Sequence, residues 1–204
     1  MGRPREHDEE TRAALRGAAE RIVARDGYGA LSVRAVADEA GTTTRAVYSV
    51  FGSKDGLVDA LAQTAFEFLS NEIAALPETD DPGADLVGLG VQAFRRLALE
   101  HPALYRIAFQ RVAPGFRAGR DLTRARQRAF DDFEHRMRRV EDAGLLGCTS
   151  VREAMVAFEA MMEGLANAEL RGATLPILPR GDEEAAWRRA LTTVIRGYRR
   201  DPEG

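Results

Sequence analysis

The chain has 204 residues, of which 45% are hydrophobic and 30% charged, and its formal net charge is −3. A chain of this length buries a core without covalent staples, and the composition is that of a globular protein and not of a disordered or membrane protein. A single cysteine excludes an internal disulfide framework and a Cys-based zinc site. The polar start MGRPREHDEE predicts no secretory signal, and no apolar run is long enough to span a membrane. We therefore expect a cytoplasmic protein.

The charges are distributed almost evenly along the chain. Residues 1–54 carry nine basic and eight acidic groups, and the remaining 150 residues carry twenty and twenty-four. Nearly all the cations are arginines, with Lys54 as the one lysine, and we attribute most of this bias to GC-rich codons. Charge alone therefore predicts no polyanion partner, although an average can hide a local patch.

Hydrophobic residues recur with the period of an α-helix along nearly the whole chain. Trp187, Leu191, Ile195 and Tyr198 illustrate the spacing near the end of the chain. Turn signals, mostly glycine and proline, divide the sequence into about nine helices, and no alternating pattern predicts a strand. The acidic segment PETDDPGAD, 77–85, is the strongest predicted boundary. The fold class is therefore predicted to be all-α.

Two short helices in the front part are punctuated in a specific way. Ser32 is a predicted N-cap for VRAVADEA, Gly41 interrupts that helix, and TTRAVYSVF forms the next one. A short helix, a glycine-containing turn and a second short helix is the helix-turn-helix pattern, whose second helix enters the major groove of DNA. Plain helical bundles contain the same elements, so the pattern alone leaves both interpretations open.

The second helix of this pair is predicted to have a polar outer face. At 100° per residue Val47, Val50 and Phe51 turn inward, while Arg45 and Ser49 point away, with Thr44 and Tyr48 on the flanks. No acid stands between Thr42 and Ser53. Arginine is suited to bidentate contact with guanine, and hydroxyls are suited to phosphates or base edges. Lys54 follows at the start of a helix, where a cation is unfavourable unless it meets an anion such as phosphate. A harmless surface lysine is the alternative.

Residues 11–61 resemble the DNA-binding domain of the TetR/AcrR family of transcriptional regulators. The resemblance rests on the Gly27 turn, Ser32-Val33-Arg34, Ala40-Gly41, Val47-Tyr48 and Ser53-Lys54. The pair Ser49-Val50 departs from the aromatic or histidine that many members carry there. The resemblance implies DNA contacts from a set of eight residues on and around the two short helices. These are Ser32, Arg34, Thr43, Thr44, Arg45, Tyr48, Ser49 and Lys54.

The resemblance also implies a division of the chain into three regions. Residues 1–54 are predicted to form a three-helix DNA-binding domain with the helix-turn-helix, and residues 55–82 a connecting helix and linker. Residues 83–204 are predicted to form a helical bundle that binds an effector and dimerises. The partners are then double-stranded operator DNA, a small-molecule effector of unknown identity and a second copy of the chain.

The third region is rich in methionine and phenylalanine, which form adaptable apolar surfaces. Because the family responds to small molecules, we predict that nine of its apolar residues line a ligand pocket; filling a bundle core is the alternative. These are Phe94, Leu97, Tyr105, Phe109, Phe130, Phe133, Met137, Phe158 and Met162.

Two helices near the end of the chain are predicted to face a partner subunit. The helix near 150–170 is apolar on two sides and has a stripe of small residues, and the last helix supplies a second face. Internal packing is the alternative explanation. The predicted interface residues are Ala157, Met161, Gly164, Ala168, Trp187, Leu191, Val194, Ile195 and Tyr198.

The sequence contains no catalytic motif, and it predicts no cofactor and no metal site. Asp132-x-x-His135 has no second copy to complete a di-iron bundle, and no phosphate loop or nucleophile elbow occurs. The predicted function is a ligand-responsive repressor that a small apolar molecule releases from a palindromic operator. The alternatives are an activator of the same family and a helical ligand-binding protein without specific DNA recognition.

Overall fold

A computed structural model describes residues 4–110, 116–172 and 181–198. These residues form ten α-helical segments and no strand, which confirms the predicted all-α class. A π-helical turn, Gly90–Phe94, joins two of the segments into one continuous helix, so the described part of the chain has nine. The segments are α1 (Pro4–Asp26), α2 (Val33–Glu39), α3 (Thr44–Phe51), α4 (Lys54–Ala75), α5 (Pro82–Leu89), α6 (Arg95–Glu100), α7 (Pro102–Phe109), α8 (Arg120–Asp142), α9 (Val151–Leu170) and α10 (Glu183–Tyr198).

The chain divides into two compact units by contact. Unit 1 contains Met1–Phe66 and His101–Arg126, and unit 2 contains Glu67–Glu100 and Gln127–Gly204. The divisions within α4 and α8 fall inside continuous helices. These units are defined by packing alone. The three functional regions that the sequence analysis expects, 1–54, 55–82 and 83–204, remain a prediction.

Unit 1 is organised around the apolar face of α1. The apolar residues of this face are at most 2% exposed, and α1 packs against α2, α3 and α7. Leu31, Val36 and Val47 are fully buried with it. Burial of such side chains is worth about 1.5–3 kcal/mol each, which favours folding of the short helices. The buried residues of the α1 stripe are Leu15, Ala18, Ala19, Ile22 and Val23.

In unit 2, α10 packs against α9, α5 and the π turn. The Tyr198 hydroxyl donates a hydrogen bond to the carbonyl of Ala154 at 2.8 Å, and burial raises the pKa of Tyr198 to about 12. Trp187 Nε1 donates to Glu169 at 2.8 Å, and Arg95 donates to the same carboxylate through two nitrogens at 3.0 and 2.6 Å. These bonds connect α6, α9 and α10 through one half-buried carboxylate.

The end of α4 is closed by a buried arginine. Arg136, on α8, is 4% exposed and donates to the carbonyls of Ile73, Leu76 and Pro77 at 2.8–3.0 Å. The last carbonyls of a helix have no partner within the helix, and a guanidinium is suited to satisfy several of them. Arg136 therefore satisfies one carbonyl in the last turn of α4 and two carbonyls just beyond it.

A substitution at Gly90 tests how closely the π turn is packed. A Cβ at this position would meet Leu191 Cδ1 and lie 3.3 Å from Met162 Sδ, and both neighbours are buried. We expect Gly90→Ala to lower the free energy of unfolding by about 1–3 kcal/mol, because a packed interior resists added volume.

Gly88→Ala is the matched control, measured by urea denaturation alongside Gly90→Ala. Its added Cβ would be no closer than 3.5 Å to the nearest atom. Alanine is favoured over glycine in a helix by up to about 1 kcal/mol. We therefore expect the control to be neutral or stabilising. Equal stability of the two variants would contradict the close packing at Gly90.

Candidate nucleic-acid interface

The two short helices begin and end at residues that fit those positions. Ser32 Oγ accepts a hydrogen bond from the Ala35 amide at 3.1 Å, and Thr43 Oγ1 accepts one from the Ala46 amide at 3.3 Å. Gly41, between the helices, has a φ of 65°, a conformation that glycine adopts at little cost. The sequence therefore determines the turn of the helix-turn-helix locally, through two caps and one glycine.

The faces of α3 follow the helical period in part, because Val50 and Phe51, which were predicted to turn inward with Val47, are only half-buried. Val47 is fully buried. Thr44, Arg45 and Ser49 are exposed, and 54% of the Tyr48 surface is accessible. The exposed face of α3 therefore presents one guanidinium, two aliphatic hydroxyls and one phenol.

The Arg45 guanidinium forms no hydrogen bond or ion pair with any residue that the structure describes. Residues 43–52 contribute no carboxylate that could neutralise it. An accessible, uncompensated guanidinium is available for bidentate contact with an external acceptor.

Lys54 contacts an aromatic ring that the sequence analysis did not single out. Its Nζ lies 5.1 Å from the centroid of the Tyr28 ring, within the range of a cation–π contact. Ser53 Oγ accepts a hydrogen bond from the Gly56 amide at 3.0 Å and caps the helix that Lys54 begins. Tyr28 thus offsets part of the cost of a cation at a helix N-terminus. The only hint of this contact in the sequence was the position of Tyr28 between the two glycines of the turn before α2.

Gly56 allows the end of α3 and the start of α4 to approach closely. A Cβ on Gly56 would overlap the carbonyl oxygen of Phe51, a backbone atom that a rotamer change cannot move away. Glycine is therefore required at this position. The close approach keeps Lys54 next to the C-terminal end of α3.

Helix α1 holds both short helices through arginines. Glu39 on α2 accepts from Arg21 at 2.9 Å and from Arg25 at 3.3 Å, and the hydrogen bond from Arg21 is the main cause that lowers the pKa of Glu39. Arg12 donates to the carbonyl of Val50 at 3.5 Å, and its guanidinium lies 5.5 Å from the centroid of Phe51. Contacts from α1 therefore orient both α2 and α3.

Ser32, the N-cap of α2, and Arg34, on α2, are both exposed. Arg34 Nε lies 3.9 Å from the Asp38 carboxylate one turn along, and the two side chains are 88% and 74% exposed. Such a pair is worth little in water, so Arg34 can exchange it for another anion. Of the eight predicted contact residues, seven are exposed and Lys54 is half-buried.

Two family models match the chain. Residues 15–61 match the model described as bacterial regulatory proteins, tetR family. Residues 87–194, more than half of the chain, match the Tetracyclin repressor-like C-terminal domain. The chain belongs to the TetR family. TetR-family proteins are transcriptional regulators that bind DNA, so the protein is a DNA-binding regulator and not an enzyme.

Solved structures support the same fold. A protein of unknown function from Rhodococcus sp. RHA1 is 26% identical with a TM-score of 0.75, over 92% of this chain and 94% of that one. NalD of Pseudomonas aeruginosa, the secondary repressor of the MexAB-OprM multidrug efflux pump, is 25% identical with a TM-score of 0.65, over 95% and 98%. PfmR of Thermus thermophilus is 21% identical with a TM-score of 0.67, over 89% and 97%, and shows the fold alone. No curated protein matches the sequence.

The nine predicted pocket residues are divided between the two units. Tyr105 and Phe109 belong to unit 1, where their rings stack with centroids 5.5 Å apart. Phe130 is 36% exposed. The other six are buried in unit 2, where the rings of Phe133 and Phe158 lie 6.1 Å apart. These six are Phe94, Leu97, Phe133, Met137, Phe158 and Met162.

Unit 2 contains a cleft that the sequence analysis did not predict. Its volume is about 460 Å³, which is within the range of small-molecule sites. None of the nine predicted pocket residues is among its described lining. It lies where the start of α5, the turn after α8 and one side of α10 meet. The lining residues are Asp81, Gly83, Ala84, Val87, Leu145, Arg188, Thr192, Ile195 and Arg196.

The predicted interface residues separate into a buried and an accessible group. Trp187, Leu191, Ile195 and Tyr198 are at most 9% exposed and pack inside unit 2. We therefore assign these four to the core of the single chain and not to a partner-facing surface. The other five are at least partly accessible, namely Ala157, Met161, Gly164, Ala168 and Val194.

The accessible side of α10 carries a different stripe from the one the sequence analysis selected. At 100° per residue four small residues lie within about 60° of one another, away from Trp187. All four are at least partly accessible. The signal was present in the sequence, but the larger apolar side chains gave the stronger pattern. The four are Ala186, Ala190, Thr193 and Gly197.

No helix in the described part of the chain is long and apolar enough to cross a membrane. The described residues also bring together no group of three or more His, Cys, Asp or Glu side chains that could hold a metal ion.

Two substitutions of Ser32 distinguish its role as a helix cap from its predicted contact with DNA. We expect Ser32→Ala to lower the free energy of unfolding by about 1 kcal/mol, because the Ala35 amide loses its acceptor. Ser32→Asp keeps a capping oxygen and should preserve stability. It should weaken DNA binding if the hydroxyl lies near a phosphate, because it adds a negative charge. Urea denaturation and fluorescence anisotropy with labelled DNA measure the two effects.

Ser49→Ala is the control for stability, because Ser49 is exposed and caps no helix. It should leave the unfolding free energy within about 0.5 kcal/mol of the parent protein. Unchanged DNA affinity in Ser32→Asp would assign Ser32 to capping alone.

Proposed function

We propose that the protein is a cytoplasmic, homodimeric repressor that binds a palindromic operator and is released from it by a small molecule. The observation that carries the proposal is the exposed polar face of α3, with the uncompensated guanidinium of Arg45 at its N-terminal end. Recognition helices of this motif contact base edges with their N-terminal residues.

Each side chain of the interface has a role in this proposal. Arg45 donates to the two acceptors on the major-groove edge of guanine. Thr43, Thr44, Ser49 and Tyr48 hold the register of α3 through phosphates or base edges. On the flanks of α3, Lys54 and the α2 residues Ser32 and Arg34 contact the DNA backbone.

The proposed dimer uses the accessible faces of α9 and α10. On α9 a shallow groove includes Val156, which is 68% exposed, with Ala157 and Ala160. Small side chains allow helices of two subunits to approach closely. A twofold interface of this kind matches a palindromic operator, whose half-sites lie about 34–36 Å apart or a multiple of that distance.

Separate observations support release by a ligand and the role of repressor. The interior of unit 2 is rich in Phe and Met, and its cleft at α5 and α10 has the volume of a small-molecule site. A structural relative, NalD, is itself described as a repressor. A ligand weakens operator binding only by the difference between its affinities for the free and DNA-bound conformations.

The first test of DNA recognition is selection of binding sites from random duplex DNA, followed by substitution of Arg45. We expect a palindromic site with half-sites one helical turn apart or a multiple. Arg45→Ala should weaken binding to that site by about 1–3 kcal/mol and relax the preference at one base position per half-site.

Arg171→Ala, an exposed arginine after α9 in unit 2, is the matched control and should bind the selected site like the parent protein. Binding that is weak, independent of sequence and lost at modest salt would instead favour a ligand-binding protein without specific recognition. An activator would give the same selected site, and operator position relative to the promoter then decides the sign of regulation.

Substitution at Ala160 tests the dimer. Ala160 is exposed on α9 among Ala157, Val156 and Gly164. We expect Ala160→Glu to shift the protein toward monomer in analytical ultracentrifugation, because two buried carboxylates would face each other across the twofold axis.

Ala143→Glu is the control for this substitution. Ala143 is an exposed alanine in the turn after α8, so the same charge is added outside the proposed interface. It should leave the sedimentation coefficient unchanged. A dimer that tolerates Ala160→Glu would place the interface elsewhere.

A further inference from the structure

Unit 1 has a second group of exposed cations, outside the helix-turn-helix. Four arginines lie between residues 117 and 126 with only one acid, Asp121, among them. All four are exposed, and Arg117, Arg120 and Arg126 form no ion pair with any residue that the structure describes. The pair of Arg124 with Asp121 measures 3.8 Å between side chains that are 78% and 73% exposed. In water such a pair contributes little.

The placement of these arginines is unfavourable for the helix itself. Arg120 is the first residue of α8 and Arg124 follows one turn later on nearly the same face. Cations in the first turn oppose the helix dipole, and like charges four residues apart repel each other by about 0.2–0.5 kcal/mol. Asp121 in the first turn and the Asp59 carboxylate at the Gly119 amide offset part of the first cost, and an external anion above the arginines would offset more of both.

A hydrogen bond between Gly119 and Asp59 holds the start of α8 against the first half of α4. The Gly119 amide donates to Asp59 Oδ1 at 2.6 Å, and a Cβ on Gly119 would lie 2.9 Å from Asp59 Oδ2. Asp59 follows Lys54 by five residues of α4, a rise of about 7.5 Å. At 100° per residue the two side chains lie about 140° apart around the axis of α4, so the start of α8 is held at a different face of α4 from Lys54 and about 7.5 Å further along it.

That separation matters because of the range of electrostatic attraction in solution. The Debye length is about 8 Å at physiological ionic strength, so a charge within this distance of a phosphate is only partly screened. The phosphates that such a surface would attract are therefore those that flank the one at Lys54, on the side of Arg117, Arg120 and Arg124. Their long side chains extend the reach of the surface further.

We propose that Arg117, Arg120 and Arg124 form a second contact surface for the DNA backbone, which we term the α8 arginine surface. It carries no base readout and binds the phosphates that flank the segment contacted by α3 and Lys54. Part of the DNA affinity therefore comes from helices outside the helix-turn-helix. The inference rests on the proposed DNA binding of the same unit.

The test measures the salt dependence of DNA binding. The triple variant Arg117→Gln, Arg120→Gln, Arg124→Gln is compared with the parent protein on a selected site with long flanks, by anisotropy between 50 and 200 mM salt. The slope of log K against log salt concentration is negative, and each lost phosphate contact lowers its magnitude by about 0.9. We expect the magnitude of the slope to fall by about 1–2 and the affinity to fall about tenfold or more at the lowest salt.

A second triple variant controls for net charge. It carries Arg126→Gln, Arg138→Gln and Arg171→Gln, which remove the same charge from exposed positions. Arg126 is on α8 itself but about 120° round the helix from Arg120, and the other two are in unit 2. This variant should keep the parent slope.

The outcomes separate the two proposals. If the parent protein binds the selected site but both triple variants have its slope, the α8 arginine surface does not contact DNA. Equal loss in both variants would show an effect of net charge and would also overturn the inference. Failure of the parent protein to bind any selected site would reject the proposed function itself. Circular dichroism melting of each variant verifies folding, and loss of the like-charge repulsion should leave the test variant at least as stable as the parent.

Discussion

The packing of α3 against α1 and α2 is the interaction on which the DNA-facing surface depends. Eight residues are too few for a helix that is stable alone in water, so α3 is stabilised by burial of Val47 and by the contacts of Arg12 with its C-terminal end. The same packing orients the opposite face outward. Gly56 then brings the start of α4 against Phe51, which couples the position of Lys54 to that of α3.

The sequence predicted the helix-turn-helix well because its determinants are local. Ser32 and Thr43 cap the helices that follow them, and Gly41 provides the turn. Of the three residues that the helical period turns inward, Val47 is buried, and Val50 and Phe51 are half-buried. The Tyr28–Lys54 contact was not predicted, because it joins residues 26 positions apart. A helical period shows which side of one helix is apolar, but not which other element covers that side.

This limit explains the results for the second half of the chain. Trp187, Leu191, Ile195 and Tyr198 form the most apolar stripe of α10, and such a stripe fits a partner helix from the same chain as well as one from another subunit. Large side chains are suited to fill a core, whereas a surface of Ala, Thr and Gly gives a weak signal in any hydrophobicity pattern. Tyr105 and Phe109 similarly share the character of the other pocket candidates, yet they pack in unit 1.

The distribution of ion pairs reconciles a net charge of −3 with a DNA-binding surface. Several acids of unit 1 are paired on or near α1, where Glu39 binds Arg21 and Arg25, and Glu9 lies within 4 Å of Arg12 and Arg16. These pairs neutralise carboxylates at positions that also hold the short helices in place. The outer face of α3 has no such acid, so its guanidinium keeps its full charge. Local compensation, and not the total charge, therefore decides where this protein attracts an anion.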